Sequence, residues 1–144
     1  MRVLFAVLGV VVALLTACGE DEALSKGQYV SKLNSMCRDF SEREQAIGEP
    51  QSVDDLVEKG PRVLDAFEKA IVDKVHALKA PAEIADQADR LARLADEQRE
   101  VLRGLVSAAR RNDFEQVTEL ASKNATLNRE SGSIAKELGA TACS

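Results

Sequence analysis

The chain has 144 residues, with 19 Lys and Arg against 24 Asp and Glu and a formal charge of −5. That length suits one domain, and the acidic balance excludes binding along a nucleic-acid backbone, which needs clustered positive charge. Eight Gly, three Pro and 3% aromatic residues are too few breakers and strand formers for an all-β chain, so a helical fold is expected.

The chain opens Met1-Arg2, runs apolar from Val3 to Leu15, and reaches Leu15-Thr16-Ala17-Cys18. A basic start, an apolar stretch and small residues at a cut mark a secretory signal peptide. The run is shorter than the ~20 residues a membrane span needs. Leu15-Thr16-Ala17-Cys18 resembles a bacterial lipobox. That resemblance implies removal of residues 1–17 and a lipid on the sulfur of Cys18. The protein is then anchored to the extracytoplasmic face of the cell membrane without spanning it. The plainer alternative is a secreted protein with an unmodified Cys at the cut. Residues 18–27 include Gly19-Glu20-Asp21-Glu22. They read as the acylated Cys and an acidic tether that anionic lipid keeps extended. Residues 28–144 read as the folded domain.

Two cysteines remain, Cys37 and Cys143. Outside the membrane thiols are oxidised, and an even pair suggests a bridge. Two free thiols, or pairing between molecules, are the alternatives. A bridge within the chain closes a loop over most of the domain, for which the chain-entropy model gives ~4–5 kcal/mol.

Four segments carry helical periodicity and none alternates with period two. The first spans about 26–47, with Tyr29, Val30, Leu33, Met36, Cys37, Phe40 and Ile47 on one stripe. Gly48-Glu49-Pro50-Gln51 ends it. The second begins at Ser52, an N-cap with Asp55 three residues on. Its stripe is Leu56, Val57, Leu64, Phe67, Ile71, Val75 and Leu78. Gly60-Pro61 interrupts it, so a kink or break is expected there; the unbroken phase of the stripe favours the kink. Lys79-Ala80-Pro81 separates it from the third segment, with Pro81 in a first-turn position.

The third segment runs to about Arg111 on Ile84, Ala88, Leu91, Ala95, Gln98, Leu102, Leu105 and Ala109. Its other face is charged, with Asp86/Arg90 and Asp89/Arg93 at attractive i,i+4 spacing and Arg99/Arg103 at repulsive spacing. It reads as a solvated surface. Asn112-Asp113 caps the fourth segment, whose stripe is Phe114, Val117, Leu120, Ala121, Leu127, Ile134, Ala135 and Leu138, with Gly139 as the stop. Short links make neighbours antiparallel. The expected fold is an all-α up-down four-helix bundle, its second helix kinked or broken at Pro61. Its C-terminal tail folds back to bond with helix 1.

Tyr29-Val30-Ser31-Lys32-Leu33-Asn34-Ser35-Met36-Cys37, with Leu78-Lys79-Ala80-Pro81 and Leu138-Gly139-Ala140-Thr141-Ala142-Cys143, resembles a group of small uncharacterised actinobacterial lipoproteins. They share the Tyr-Val, the Asn three residues before a Cys, the Leu-x-x-Pro turn and the closing Leu-Gly…Cys. The group's residue after that Gly is usually large and apolar; here it is Ala140. The resemblance implies a helical, disulfide-closed envelope lipoprotein and no enzymatic activity.

Chemistry-bearing patterns are sparse. Asp73-Lys74-Val75-His76 has the spacing of a di-iron half-motif, but it holds the only His in the chain. Neither metal nor haem is expected, and no Gly-x-Ser-x-Gly elbow points to hydrolysis. Asn34, Asn124, Asn128 and Ser131 form a polar band beside apolar stripes. They are expected to make either a buried register-fixing network or a pocket for a small polar ligand. The sequence therefore points first to a non-catalytic interaction module for an envelope protein or wall component. A small-ligand binder using the polar band is the alternative.

Overall fold

The computed structural model describes residues 23–143. The expected signal peptide and Cys18 lie outside the described residues. The first helix, α1, is Lys26–Ile47. Ser25 opens it with a reciprocal capping box: its hydroxyl accepts from the Gln28 N–H, and the Gln28 side chain accepts from the Ser25 N–H at 2.9 Å. Leu24 already belongs to the packed body, its N–H donating to the Lys79 carbonyl at 2.9 Å.

Helix α2 starts at Val53, where the Ser52 hydroxyl accepts from the Asp55 N–H at 3.1 Å. It runs as an α-helix over Val53–Phe67, widens to a π turn over Glu68–Val72 and closes with Asp73–Val75. Pro61 lies inside the first stretch and does not break it. The departure from α geometry comes later, at the π turn.

A 3-10 turn, Ala82–Ile84, leads into α3, Ala85–Arg110. Asn112 takes a positive φ of 55° in the turn that follows, a conformation Asn tolerates better than most side chains. Helix α4 is Phe114–Leu138, with the Asp113 carboxylate accepting from the Gln116 N–H at 3.1 Å. Gly139 ends it in the left-handed region at φ 93°. The Ala140 N–H then donates to the Ala135 carbonyl at 2.8 Å, as in a Schellman stop. Ala140 is 0% exposed, so the small residue at this point is seated in the core.

Pairs of contacts fix the directions. Phe40 meets Phe67, and Asp39 meets Lys74. Gly60 faces Val106, Glu68 pairs with Arg103, and His76 with Asp96. Gly104 faces Leu120, Glu97 pairs with Lys123, and Arg90 with Glu130. Across α2–α3 and α3–α4 one number rises as the other falls, so these neighbours run antiparallel. The result is the expected up-down four-helix bundle.

Helix α3 lies between α2 and α4, and its burial pattern shows it. Beside the expected stripe it buries Leu94, Val101, Val106 and Ala108. A helix with two neighbours needs this wider apolar arc. Helix α4 differs in the other direction. Its first turns, expected to be core, leave Phe114 62% exposed and Ala121 on the surface, because α3 alone flanks them. Arg90 reaches across to Glu130, not back to Asp86, with Nε donating at 3.1 Å. Arg103 is drawn to Glu68 at 2.9 Å and Arg99 to Asp96 at 3.4 Å, which relieves their expected repulsion. Exposed pairs of this kind are worth at most about 1 kcal/mol each. Among the described residues no helix is long and apolar enough to cross a membrane.

Tyr29 is 1% exposed and is the only Tyr in the chain. Burial raises the pKa of its phenol above 10.0, and the nearby charge of Asp89 adds to this. The fold thus favours the neutral form. Its contribution is whole below pH 10 and is lost as pH rises through the folded value. An ultraviolet titration is expected to show phenolate only above pH 10, together with loss of helix. Ionisation at 10 with helicity intact would contradict this burial.

Candidate functional site

Three seams of the bundle are packed, α1–α2, α2–α3 and α3–α4, whereas α1 and α4 hardly touch. Between them lies a cleft of about 720 Å³. Helix α1 supplies Leu33, Met36, Cys37 and Phe40 as one wall. The floor comes from Phe67, Ile71 and Val75 of α2 and Leu91 and Ala95 of α3. Helix α4 supplies the other wall from Asn128 to Lys136, including Ser131-Gly132-Ser133. That wall explains the opening: small side chains there cannot reach across to fill the space before Leu33, Met36 and Phe40.

The π turn shapes the floor. Residues four apart drift by about 40° around a regular α-helix. The wider π turn takes drift back, which keeps Phe67, Ile71 and Val75 in one row facing the cleft. Such turns are frequent at functional sites. Phe67 is held edge-on to Phe40, with ring centroids 5.4 Å apart. Outside the cleft, Asp39 ties α1 to α2 by accepting from Lys74 at 2.8 Å while pairing with Arg43. These bonds, Lys74 first, hold its carboxyl below the usual range.

The bridge between Cys37 and Cys143, whose Cα atoms are 5.3 Å apart, forms part of the α1 wall of the cleft. The cysteines are therefore paired within the chain, and the tail lies back against α1 as the sequence requires. Asn34 secures it by accepting from the Ala142 N–H at 2.8 Å.

The polar band is divided by the fold. Asn128 and Ser131 line the cleft. Asn34 serves the tail, and Asn124 does not line the cleft. The Asn124 side-chain oxygen is buried and finds no donor among the described residues. No hydrogen bond joins Asn34 to the three α4 residues. The partner of Asn128 is Gln98 of α3, whose amide donates to the Asn128 side-chain oxygen. Gln98 is 6% exposed. In the sequence it is only a polar member of an apolar stripe, and that anomaly was the available signal. The Ser131 hydroxyl donates to the Asn128 backbone carbonyl at 3.1 Å, within α4.

Two charged side chains line the cleft, Arg129 and Lys136, and both are basic. His76 is bonded to Asp96 at 3.0 Å. Among the described residues no three of His, Cys, Asp or Glu gather as metal ligands. What the cleft offers is a preformed apolar surface with a polar end and a positive rim. No known family model, curated protein or solved structure matches the chain.

Proposed function

We propose that the protein is a non-catalytic binding protein of the cell envelope, held to the membrane through a lipid on Cys18, that takes a small molecule between α1 and α4. The observation that carries this reading is the open seam. Helical bundles gain stability by closing such seams, and this one keeps a lined cleft within the roughly 300–1,000 Å³ range of ligand sites. The apolar majority of its lining favours a ligand with an apolar body over a wholly polar one. Entry of the chain at Leu24, beside Lys79, is compatible with a short tether from Cys18.

A second reading is docking of an envelope protein or wall component, for which Phe114, exposed at the opposite end, is a candidate contact. Native mass spectrometry of the full chain extracted from its own membrane tests the first. The expected spectrum is acylated at Cys18, two hydrogens light for the disulfide, and carries a non-covalent mass lost on heating. A clean mass of the acylated chain would overturn the ligand reading in favour of docking.

A further inference from the structure

We infer that the cleft binds a single-chain anionic amphiphile, a fatty-acid carboxylate, with its chain along the floor and its head at the Asn128–Arg129 end. This rests on the ligand-binding reading above and names the class of ligand.

Three observations converge. The first is the row Phe67, Ile71, Val75 opposite the α1 wall. Eight residues at about 1.5 Å each make this row about 12 Å long. With carbon–carbon bonds of about 1.5 Å in a zigzag, that length holds roughly ten carbons. A long narrow apolar strip fits an alkyl chain better than a compact ring system.

The second is charge. In a chain of net charge −5, the cleft lining carries no carboxylate, and its charged members are Arg129 and Lys136. Neither forms an ion pair with any described residue; Arg129 donates only to the Thr126 hydroxyl, at 3.0 Å. An acidic protein that keeps its carboxylates away from one cleft offers complementarity to an anion there.

The third is polarity along the axis. Gln98 and Asn128 are joined side chain to side chain beside Arg129, level with Val75, whose neighbour His76 pairs with Asp96, while Phe40 and Phe67 occupy the far end of the row. A guanidinium beside two amides suits a carboxylate head. Lys136 stands further along the same rim, where it adds positive potential without being the principal contact.

The test uses the full chain carrying Cys18→Ser, which removes any acyl group and leaves the cleft residues untouched. Calorimetric titration with the carboxylates from hexanoate to tetradecanoate reads the cleft directly. Saturable one-to-one binding is expected. Affinity should rise about fourfold per methylene as the chain is buried and level off near decanoate, where the strip ends. Arg129→Gln, at an exposed position, should weaken decanoate about tenfold and leave decanol unchanged; Lys136→Gln should cost less. The inference is overturned by non-saturating uptake, by decyltrimethylammonium binding as tightly as decanoate, or by an Arg129→Gln variant that binds decanoate normally. If decanoate fails while the native spectrum still carries an adduct, this inference alone falls. If both fail, the ligand reading falls with it.

Discussion

Replacing Cys37 by Ser is expected to lower the unfolding free energy by about 4–5 kcal/mol, the chain-entropy value for so long a loop. The bridge joins positions 106 residues apart, so it restricts the unfolded chain almost end to end. For a domain of this size the midpoint should fall by roughly 15 °C. Cys143→Ser should match it, and the double variant should be no worse than either single one, because both remove one bond. Thermal denaturation followed by helix content reads all three. A Cys37→Ser midpoint equal to that of the unaltered protein would contradict a stabilising role for the bridge. The tail depends on more than the bond: Ala140 in the core and Asn34 on the Ala142 N–H hold it as well. The bundle should therefore remain folded at low temperature without the disulfide.

Gly60→Ala is expected to destabilise the protein by about 1–3 kcal/mol, the usual cost of an overfilled core. In an open helix interior the same change would stabilise by about 0.5–1 kcal/mol. The sign reverses here because a Cβ at Gly60 would lie 2.7 Å from Cγ2 of Val106 and 3.3 Å from Cδ1 of Leu56. Val106 is buried in α3 and, being β-branched, has essentially one rotamer in a helix. It cannot swing aside, so the helices must separate. Val106→Ala in the same chain should restore much of the loss, although alone it leaves a cavity. A Gly60→Ala variant as stable as the parent in urea would show that α2 and α3 do not approach this closely.

What the sequence carries is whatever each helix expresses by itself. Ser52, Asp113 and Gly139 announce helix ends through local backbone bonds, and all three act at those ends. The apolar stripes of α1 and α3 pass through Tyr29, Leu33, Met36, Leu91 and Ala95 because each repeats every three or four residues, and these are buried. The cysteine pair is legible from the even number left after the expected cut. Features that belong to pairs of helices are not. The π turn at Glu68–Val72 has no breaker to mark it, while Pro61, which is a breaker, sits inside regular helix. Arg90 has Asp86 one turn away and still chooses Glu130, a partner visible only after folding. The cleft is hardest of all to read. Phe40, Phe67, Ile71 and Val75 look like ordinary core residues, and only the small residues Ser131-Gly132-Ser133 opposite leave their space unfilled. Asn128 and Ser131 stand out in the sequence by their polarity. Their neighbour Gln98 is hidden within an apolar stripe, and Asn34 belongs to the tail.

The bond from Leu24 to Lys79 gives the molecule a direction. The start of α1, the turn before α3 and the end of α4 share one pole, and the proposed tether from Cys18 would make that the pole nearest the bilayer. Leu33, on the α1 wall of the cleft, then stands only about 14 Å along the helix axis from Leu24. The turns at Gly48–Gln51 and Arg111–Asp113 lie at the far pole, roughly 35 Å out along α4. A molecule leaving the outer leaflet would have a short climb into the cleft, and anything approaching from the wall would first meet the turn that carries Phe114. A fluorophore on these outer turns would report from the far pole without crowding the cleft, whereas a tag appended after Cys143 would sit beside the cleft, at the bridge to Cys37.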